Sequence, residues 1–454
     1  MNKKLTFTSH LAIGFMLFAL FFGAGNLIFP AQLGQEAGSN VWPAVFGFLT
    51  TGVTLPFIGI LAIGFSGSNN LQELASRVHP MYGVLFTAIL YLSIGPFFAA
   101  PRTATVAYEV GITPFIQHSN DQIGLFVFSI IFFLIALYFS LRPGKIVESI
   151  GKILAPLLVT LLVILLVIAF INPMGAFQDA TGNYVHQAYV TGFLEGYHTM
   201  DALASLVFGI IIITIIRSHG VTSKWKIFIE AGKSGIIATF LLAFIYVGIA
   251  LLGASSVESI GMQETGGAVL SGTANYYFGI FGNTMLAIVM MLACLTTAIG
   301  LIIANAEYFQ TLFPRFSYKQ FVYFFTILTF GFANFGLANI ITYSVPVLMV
   351  LYPLAIGIMM LSFLSPLFMH KQFVYIGSVI LIFAVSLFDG CKALAESLGV
   401  ESFTWTKSFV SFYEKILPLY GEGLGWFAPA FLFILLMIIF FQIKRLFGKR
   451  VSAS

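Results

Sequence analysis

Long apolar stretches separated by short polar connections run through the whole chain. Each stretch is at least about as long as the roughly 20 apolar residues that a helix needs to cross a bilayer. The run from Leu157 to Ile171 lacks the alternation of a membrane β-strand, so the pattern favours helices over a barrel. The stretches predict twelve spans: 9–37, 41–66, 80–107, 122–141, 153–171, 190–216, 234–254, 279–312, 320–337, 339–364, 372–390 and 425–443.

The composition excludes a soluble globular protein. Only 8% of the 454 residues are charged and 59% are hydrophobic, whereas soluble domains carry about 25% charged residues. The basic residues behind the net charge of +4 are scattered among short connections, so we expect no nucleic-acid surface. Membrane lipid is the expected surrounding, and nothing in the sequence indicates an obligate protein partner.

The positions of Lys and Arg predict the orientation of the chain. If the N-terminus is cytoplasmic, seventeen of the 21 basic residues fall on the cytoplasmic side, three fall outside, and Arg102 lies within a span. The positive-inside rule then places both termini in the cytoplasm. We expect one membrane domain over 1–443 and a cytoplasmic tail over 444–454. The connection 391–424 fits an interfacial or re-entrant segment as well as a free loop.

Glycine and polar residues interrupt the first span at membrane depth. The sequence Gly23-Ala24-Gly25-Asn26 is followed by Pro30. Backbone groups freed in lipid must find other partners, so an unwound turn there indicates a ligand site. Its amides would face a carboxylate, and its carbonyls would face a cation or an ammonium group. The alternative is a close-packed glycine pair beside a satisfied Asn26.

A second interruption begins the sixth span, where an inverted repeat of five helices would place the partner of span one. It contains Tyr197, His198, Thr199 and Asp201. His198 and Asp201 are three residues apart and therefore share one helical face. The alternative is that 195–201 belongs to the outer loop and that Asp201 caps the sixth span.

Arg102 lies inside the third span, after Gly95 and Pro96. Charge at membrane depth is costly, so such a residue indicates a functional site by default. Arg102 could pair with a substrate carboxylate or with Glu109, two turns along the same face. The alternatives are a structural ion pair and an arginine that extends to the outer interface.

Two adjacent threonines, Thr296 and Thr297, lie in the eighth span. Their hydroxyls could supply oxygen ligands to sodium, although threonines in membrane helices often bond only their own backbone. No nucleotide-binding, zinc-protease or serine-nucleophile motif is present. ATP-driven transport by this chain alone is therefore disfavoured. A membrane-embedded enzyme would need converging acid–base or metal-binding groups, and Asp201 and His198 alone are too few.

Three motifs, in order along the chain, resemble the bacterial branched-chain amino acid:cation symporter family. They are Phe18–Leu33 (FALFFGAGNLIFPAQL), Gly95–Gly111 (GPFFAAPRTATVAYEVG) and Gly192–Ala204 (GFLEGYHTMDALA), and the resemblance extends from about Gly14 to Arg445. It implies import of leucine, isoleucine and valine across the bacterial cytoplasmic membrane. Sodium or protons would drive the import, with no catalytic residue and no cofactor besides the coupling ion.

That family in turn resembles the group that shares the leucine-transporter fold. The resemblance implies an all-α polytopic membrane protein of about twelve transmembrane helices. Two inverted repeats of five helices would cover about 9–171 and 190–364, with helices 1 and 6 broken. Two further helices would follow over 372–443.

The resemblance also implies a sodium site. The segment Ala293-Cys294-Leu295-Thr296-Thr297 resembles the Ala-x-x-Thr-Ser motif in the eighth helix of that group, with threonine as the second hydroxyl residue. The implied ligands are two hydroxyls and three carbonyls, from Thr296, Thr297, Ala293, Ala19 and Phe22.

The expected substrate site combines the interruptions of spans one, three and six. Its residues are Gly23, Ala24, Gly25, Asn26, Arg102, Tyr197, His198, Thr199 and Asp201. The substrate carboxylate would meet the amides of Gly25 and Asn26, and the ammonium would meet carbonyls near Gly23 and at 197–199. Arg102 has no counterpart in the wider group, so its role stays open. An ion channel and a transporter of another small apolar amino acid are the alternatives.

Overall fold

The computed structural model describes residues 5–68, 70–115, 121–142, 145–400 and 407–451, and every regular element in these ranges is helical. The α-helices are α1 Phe7–Phe21, α2 Gly25–Ala37, α3 Val41–Leu49, α4 Leu55–Ser66, α5 Leu71–Ala75, α6 Pro80–Leu92, α7 Ala99–Gly111, α8 Asp121–Ser140, α9 Lys145–Ile171, α10 Tyr184–Glu195, α11 Asp201–Ser218, α12 Lys224–Ile260, α13 Gly266–Leu312, α14 Tyr318–Ala333, α15 Leu337–Leu364, α16 Gln372–Ser397, α17 Lys407–Ile416 and α18 Phe427–Val451.

The predicted class, an all-α membrane protein, is confirmed. Within the described residues, nine helical segments are long and apolar enough to cross a membrane, and two shorter apolar helices, Phe7–Phe21 and Val159–Ile171, accompany them. The count of twelve and the inverted repeat stay predictions. The connection 391–424 contains α17, and its central part, 401–406, lies outside the described residues.

Several helices extend beyond the predicted spans. The segment 255–278, which lies between the predicted spans 234–254 and 279–312, is mostly helical, because α12 continues to Ile260 and α13 begins at Gly266. Gly279 then kinks α13 with a φ of 57°. At the other end, α18 continues to Val451 through most of the predicted tail. Hydropathy detects apolar residues, not helix formation. It therefore missed the parts of these helices that continue into less apolar sequence.

Apolar side chains remain exposed on the outer helices. On α18, for example, Leu432, Leu436 and Phe440 are more than half exposed, and so are Ile131 and Leu134 on α8. Extended apolar surface of this kind is unfavourable in water and natural in lipid. Apolar faces of this kind are expected on the outside of a membrane-spanning bundle.

Glycines bring the central helices into backbone contact. A Cβ atom on Gly34 in α2 would lie 2.0 Å from the carbonyl oxygen of Ala250 in α12. A Cβ atom on Gly253 would lie 2.2 Å from the carbonyl oxygen of Ala31. Small residues at such contacts are typical of membrane helices, whose association depends on close packing. The contacts fix α2 against α12 just beyond the end of α1.

A buried polar cluster joins α1 to α12. His10 Nδ1 lies 3.0 Å from Ser234 Oγ, and His10 Nε2 lies 2.8 Å from Glu230 Oε2. Lys233 Nζ lies 3.2 Å from the other carboxylate oxygen of Glu230. Buried ionisable groups need such partners, so the cluster holds the first turn of α1 to one place on α12.

We expect Gly34→Ala to lower the thermal stability of the purified protein in detergent. Its methyl group must displace the backbone of α12, and overpacking typically costs about 1–3 kcal/mol. Gly331→Ala, near the end of α14, is the matched control, because its Cβ atom would meet nothing within 4 Å. The control should be unchanged or slightly more stable. Equal stability of the two variants would contradict the close contact.

Candidate functional site

The predicted interruption of the first span is present. Helix α1 ends at Phe21, and Phe22 adopts an extended conformation with φ −74° and ψ 92°. The N–H of Gly23 donates to Asn26 Oδ1 at 2.9 Å, so it does not continue the helical ladder to the carbonyl of Ala19. The unwound turn therefore leaves that carbonyl without its helical donor.

The second interruption separates α10 from α11. Residues Gly196–Thr199 form a 3₁₀ turn, and Met200 is left-handed with φ 61° and ψ 10°. Thr199 Oγ1 accepts a hydrogen bond from the N–H of Asp201 at 3.3 Å. The interpretation of Asp201 as a capping residue is wrong, because it is the first residue of α11 and its side chain points elsewhere.

Asn26 connects the two interruptions. Its Nδ2 donates to Asp201 Oδ2 at 2.5 Å and also contacts the hydroxyl of Tyr246. Tyr246 in turn donates to Asp201 Oδ2 at 3.0 Å, and all three side chains are buried. Tyr246 was missing from the sequence prediction. The signal that could have found it is a hydroxyl in the middle of the apolar span 234–254.

Arg102 is only 3% exposed and lies between both interruptions. Its Nη1 donates to the carbonyl of His198 at 2.7 Å, and its guanidinium carbon lies 5.0 Å from the centroid of the Phe29 ring. A Cβ atom on Gly25 would lie 2.8 Å from Arg102 Nη2. The interpretation that Arg102 extends to the outer interface is wrong, because the side chain is enclosed. Glu109 contacts Thr265 at the start of α13.

A π-helical turn, Ser93–Phe97, redirects the third span just before α7. Gly95 has φ −88° and ψ −117°, and Pro96 cannot donate a backbone hydrogen bond. A Cβ atom on Gly95 would lie 2.2 Å from Asn305 Nδ2, so glycine allows α13 to approach closely. The turn thus brings the helix that carries Thr297 against the helix that carries Arg102.

Thr296 and Thr297 lie in α13. Both hydroxyls donate to the carbonyl of Ala293, at 2.8 Å and 3.0 Å. This is the backbone bonding of the alternative interpretation, yet it leaves the oxygen lone pairs able to bind a cation. A Cβ atom on Gly23 would lie 3.5 Å from Thr297 Oγ1, so this hydroxyl lies beside the turn that follows Ala19 and Phe22.

A cavity of about 40 Å³ lies between the interruptions. It gathers most of the expected site residues: Gly23, Ala24, Gly25, Asn26, Arg102, Thr199, Asp201 and Thr297. Apolar side chains complete it, among them Leu20, Phe21, Ile94, Met200, Ala204 and Phe208. A cavity that accepts benzene measures roughly 150 Å³, so this one must widen before an amino acid fits.

Two residues of the expected substrate site, Tyr197 and His198, do not line the cavity. Of the five expected sodium ligands only Thr297 lines it, whereas Ala19, Phe22, Ala293 and Thr296 do not. The Tyr197 ring stacks on Tyr352 of α15 with 3.9 Å between centroids, and the His198 ring lies 5.3 Å from that of Phe29. The second interruption therefore contributes Thr199, Met200 and Asp201 to the cavity. His198 acts through its carbonyl, which fixes Arg102.

Solved transporters share this arrangement of helices. Mhp1, a nucleobase-cation-symport-1 family transporter solved in a closed conformation with bromovinylhydantoin, matches with a TM-score of 0.59 and 13% identity, over 92% of this chain and 95% of that one. MhsT in complex with L-phenylalanine matches with a TM-score of 0.53 and 16% identity, over 97% and 99%. The fold is that of the leucine-transporter group of membrane transporters.

The family follows from sequence relatives. A sequence model described as "Branched-chain amino acid transport protein" matches residues 6–444. The branched-chain amino acid permease BrnQ of Bacillus subtilis (strain 168) is 46% identical over 95% of this chain and 96% of its own length. BrnQ of Lactobacillus delbrueckii subsp. lactis is 44% identical over 94% and 96%. The chain belongs to this family and is a membrane transporter, not an enzyme.

We expect Tyr246→Phe to destabilise the protein, because Asp201 loses one of its hydrogen-bond donors. Hydrogen bonds to charged groups contribute about 1.5–3 kcal/mol. Thermal unfolding in detergent measures the change. Tyr82→Phe is the matched control, since the buried Tyr82 hydroxyl has no hydrogen-bond partner among the described residues. If both variants are equally stable, the contact with Asp201 contributes nothing.

Proposed function

We propose that this protein is a secondary symporter that imports leucine, isoleucine and valine together with sodium, with protons as the alternative coupling ion. One observation carries the proposal. The Thr297 hydroxyl lies beside the unwound turn at Gly23, and both line the cavity between the two helix interruptions. Hydroxyls and freed carbonyls bind sodium in transporters with broken helices. Ion and amino acid would therefore occupy adjoining positions.

Backbone groups at the first interruption suit the two ends of an amino acid. The N–H groups of Gly25 and Asn26 begin α2, and neither has a hydrogen-bond acceptor among the described residues. Amides at a helix N-terminus bind carboxylates. The C-terminal end of α1 would attract the ammonium, because the helix dipole is negative there. The carbonyls of Tyr197 and His198 are less suited to it, since they already accept from the N–H of Met200 and from Arg102 Nη1.

The apolar lining suits an aliphatic side chain. Leu20, Phe21 and Phe208 line the cavity and come from both broken spans, and Ile94 is added by the π-helical turn. A pocket distinguishes ligands that differ by one methylene by only about 1–3 kcal/mol, so the three branched-chain amino acids should compete. The permeases of Bacillus subtilis, which are named for branched-chain amino acids, support this substrate class.

Alternating access would move spans 1, 2, 6 and 7 against the rest. These spans pack on one another: α1 and α2 on α12, α3 on α10, and α4 on α11. Sodium that binds one conformation more tightly than the other would couple the ion to this movement. Both termini would be cytoplasmic in the bacterial cytoplasmic membrane, as the basic residues predict.

Uptake of labelled leucine into proteoliposomes under imposed gradients tests the proposal. We expect accumulation under an inward sodium gradient, and competition by unlabelled isoleucine and valine. Liposomes without protein, and equal sodium on both sides, are the controls. Accumulation under a proton gradient alone would make the proton the coupling ion. The symporter proposal fails if neither gradient drives accumulation.

We expect Thr297→Ala to raise the sodium concentration needed for half-maximal uptake by roughly tenfold, which corresponds to about 1.4 kcal/mol. Thr284→Ala is the matched control. Thr284 also donates to a backbone carbonyl one turn earlier, Ile280 at 2.9 Å, but it is exposed on the same helix. Unchanged sodium activation in Thr297→Ala, with normal protein levels, would remove this residue from the ion site.

A further inference from the structure

We propose that Arg102 and Asp201 recognise the two charged ends of the substrate, Arg102 binding the carboxylate and Asp201 the ammonium. The inference rests on the proposed function and deepens it by defining the ligand class. The site would accept a free amino acid that carries both charges and an apolar side chain. Amino acid amides and the corresponding hydroxy acids would be rejected.

The two opposite charges share one cavity without pairing with each other. Arg102 and Asp201 are each 3% exposed, and both line the cavity between the interruptions. Among the described residues, no ion pair within 4.0 Å joins them. An isolated buried ion costs several kcal/mol, and direct pairing is the usual remedy. Once the cavity widens, their separation suits a ligand that carries the complementary charge at each end.

The surroundings of Arg102 suit a carboxylate. A guanidinium has five N–H donors, and the structure shows a protein acceptor for Nη1, the carbonyl of His198. Arg102 Nε is buried and has no hydrogen-bond partner among the described residues. Nη2 lies against Gly25, where the free amides of α2 begin. Guanidinium and helix N-terminus therefore converge on one anion position, and arginine binds carboxylates with two parallel hydrogen bonds.

The surroundings of Asp201 suit an ammonium group. Both hydrogen bonds from Asn26 and Tyr246 reach the same oxygen, Oδ2. Neither of these two bonds uses Oδ1, so this oxygen can accept from a ligand beside the Thr199 side chain, which also interacts with the carboxylate. Asn26 and Tyr246 hold the carboxylate in place. The end of α1 lies at the same cavity through Leu20 and Phe21, and helix C-termini favour cations.

A ligand with one charge would leave the opposite protein charge buried and unpaired. Sites built around such polar groups discriminate by several powers of ten. Leucinamide replaces the carboxylate by a neutral group of the same size, and 2-hydroxy-4-methylpentanoate replaces the ammonium by a hydroxyl. These two analogues therefore test the two ends of the site separately.

Equilibrium competition against labelled leucine, with purified full-length protein in detergent and sodium, measures the preference for leucine over each analogue. We expect the wild-type protein to prefer leucine by roughly 100-fold or more in both cases. Arg102→Gln should reduce the preference over leucinamide at least roughly tenfold and leave the preference over the hydroxy acid nearly unchanged. Asp201→Asn should do the reverse.

Two matched controls accompany these variants. Arg77 also donates to a backbone carbonyl, that of Ser66 at 2.7 Å, and Asp389 is a mostly buried carboxylate in α16. Arg77→Gln and Asp389→Asn should leave both preferences unchanged. If a variant no longer binds leucine measurably, ligand-induced thermal stabilisation compares the analogues directly. The Arg102→Gln variant should then bind leucinamide more tightly than the hydroxy acid, and the Asp201→Asn variant should bind the hydroxy acid more tightly than leucinamide.

The proposal predicts that each variant loses its preference over one analogue only, Arg102→Gln over leucinamide and Asp201→Asn over the hydroxy acid. A merely structural role would not produce this result. A structural role lowers all affinities together and leaves both preferences unchanged, and that outcome would overturn the proposal. Wild-type protein that binds either analogue as tightly as leucine would overturn it as well. Because binding is measured without a gradient, the result is independent of whether sodium or protons drive uptake.

Discussion

The side chain of Asn26 is the interaction on which the rest of the site depends. A helix can unwind at membrane depth only if other groups replace its lost hydrogen bonds, since each unsatisfied group costs several kcal/mol. Asn26 Oδ1 accepts from the N–H of Gly23, and Asn26 Nδ2 donates to Asp201 across the cavity. One amide therefore stabilises the first interruption and ties it to the second.

The low charge content of the chain is also seen in the cavity between the two helix interruptions. Among the polar residues that line the cavity, Asn26, Thr103, Thr199 and Thr297 are uncharged, and Arg102 and Asp201 add one formal charge of each sign. A cavity with balanced charges suits a ligand of no net charge, because neither a bare anion nor a bare cation satisfies both residues. Electrostatics would thus select the zwitterion, and the apolar lining would select its side chain.

The sequence predicted the features that depend on local chemistry. Glycine, proline and polar residues marked the interruptions near Gly23, Gly95 and Met200, because such residues break helices or need partners wherever they lie in lipid. It missed Tyr246, which reaches Asn26 from 220 positions away along the chain. It also assigned His198 to the cavity, since sequence does not show whether a residue acts through its side chain or its carbonyl. Hydropathy did not predict the helical part of 255–278, because those residues are less apolar than the spans on either side.

The contact between His10 and Glu230 has a consequence for the way in which the first span can move. It joins α1 to α12, and these helices belong to spans 1 and 7, which would move together against the rest. The buried contacts of His10 with Glu230 and Ser234 therefore need not break during such a movement. They would hold α1 and α12 together as one rigid unit, so that a displacement of either helix is passed on to the other.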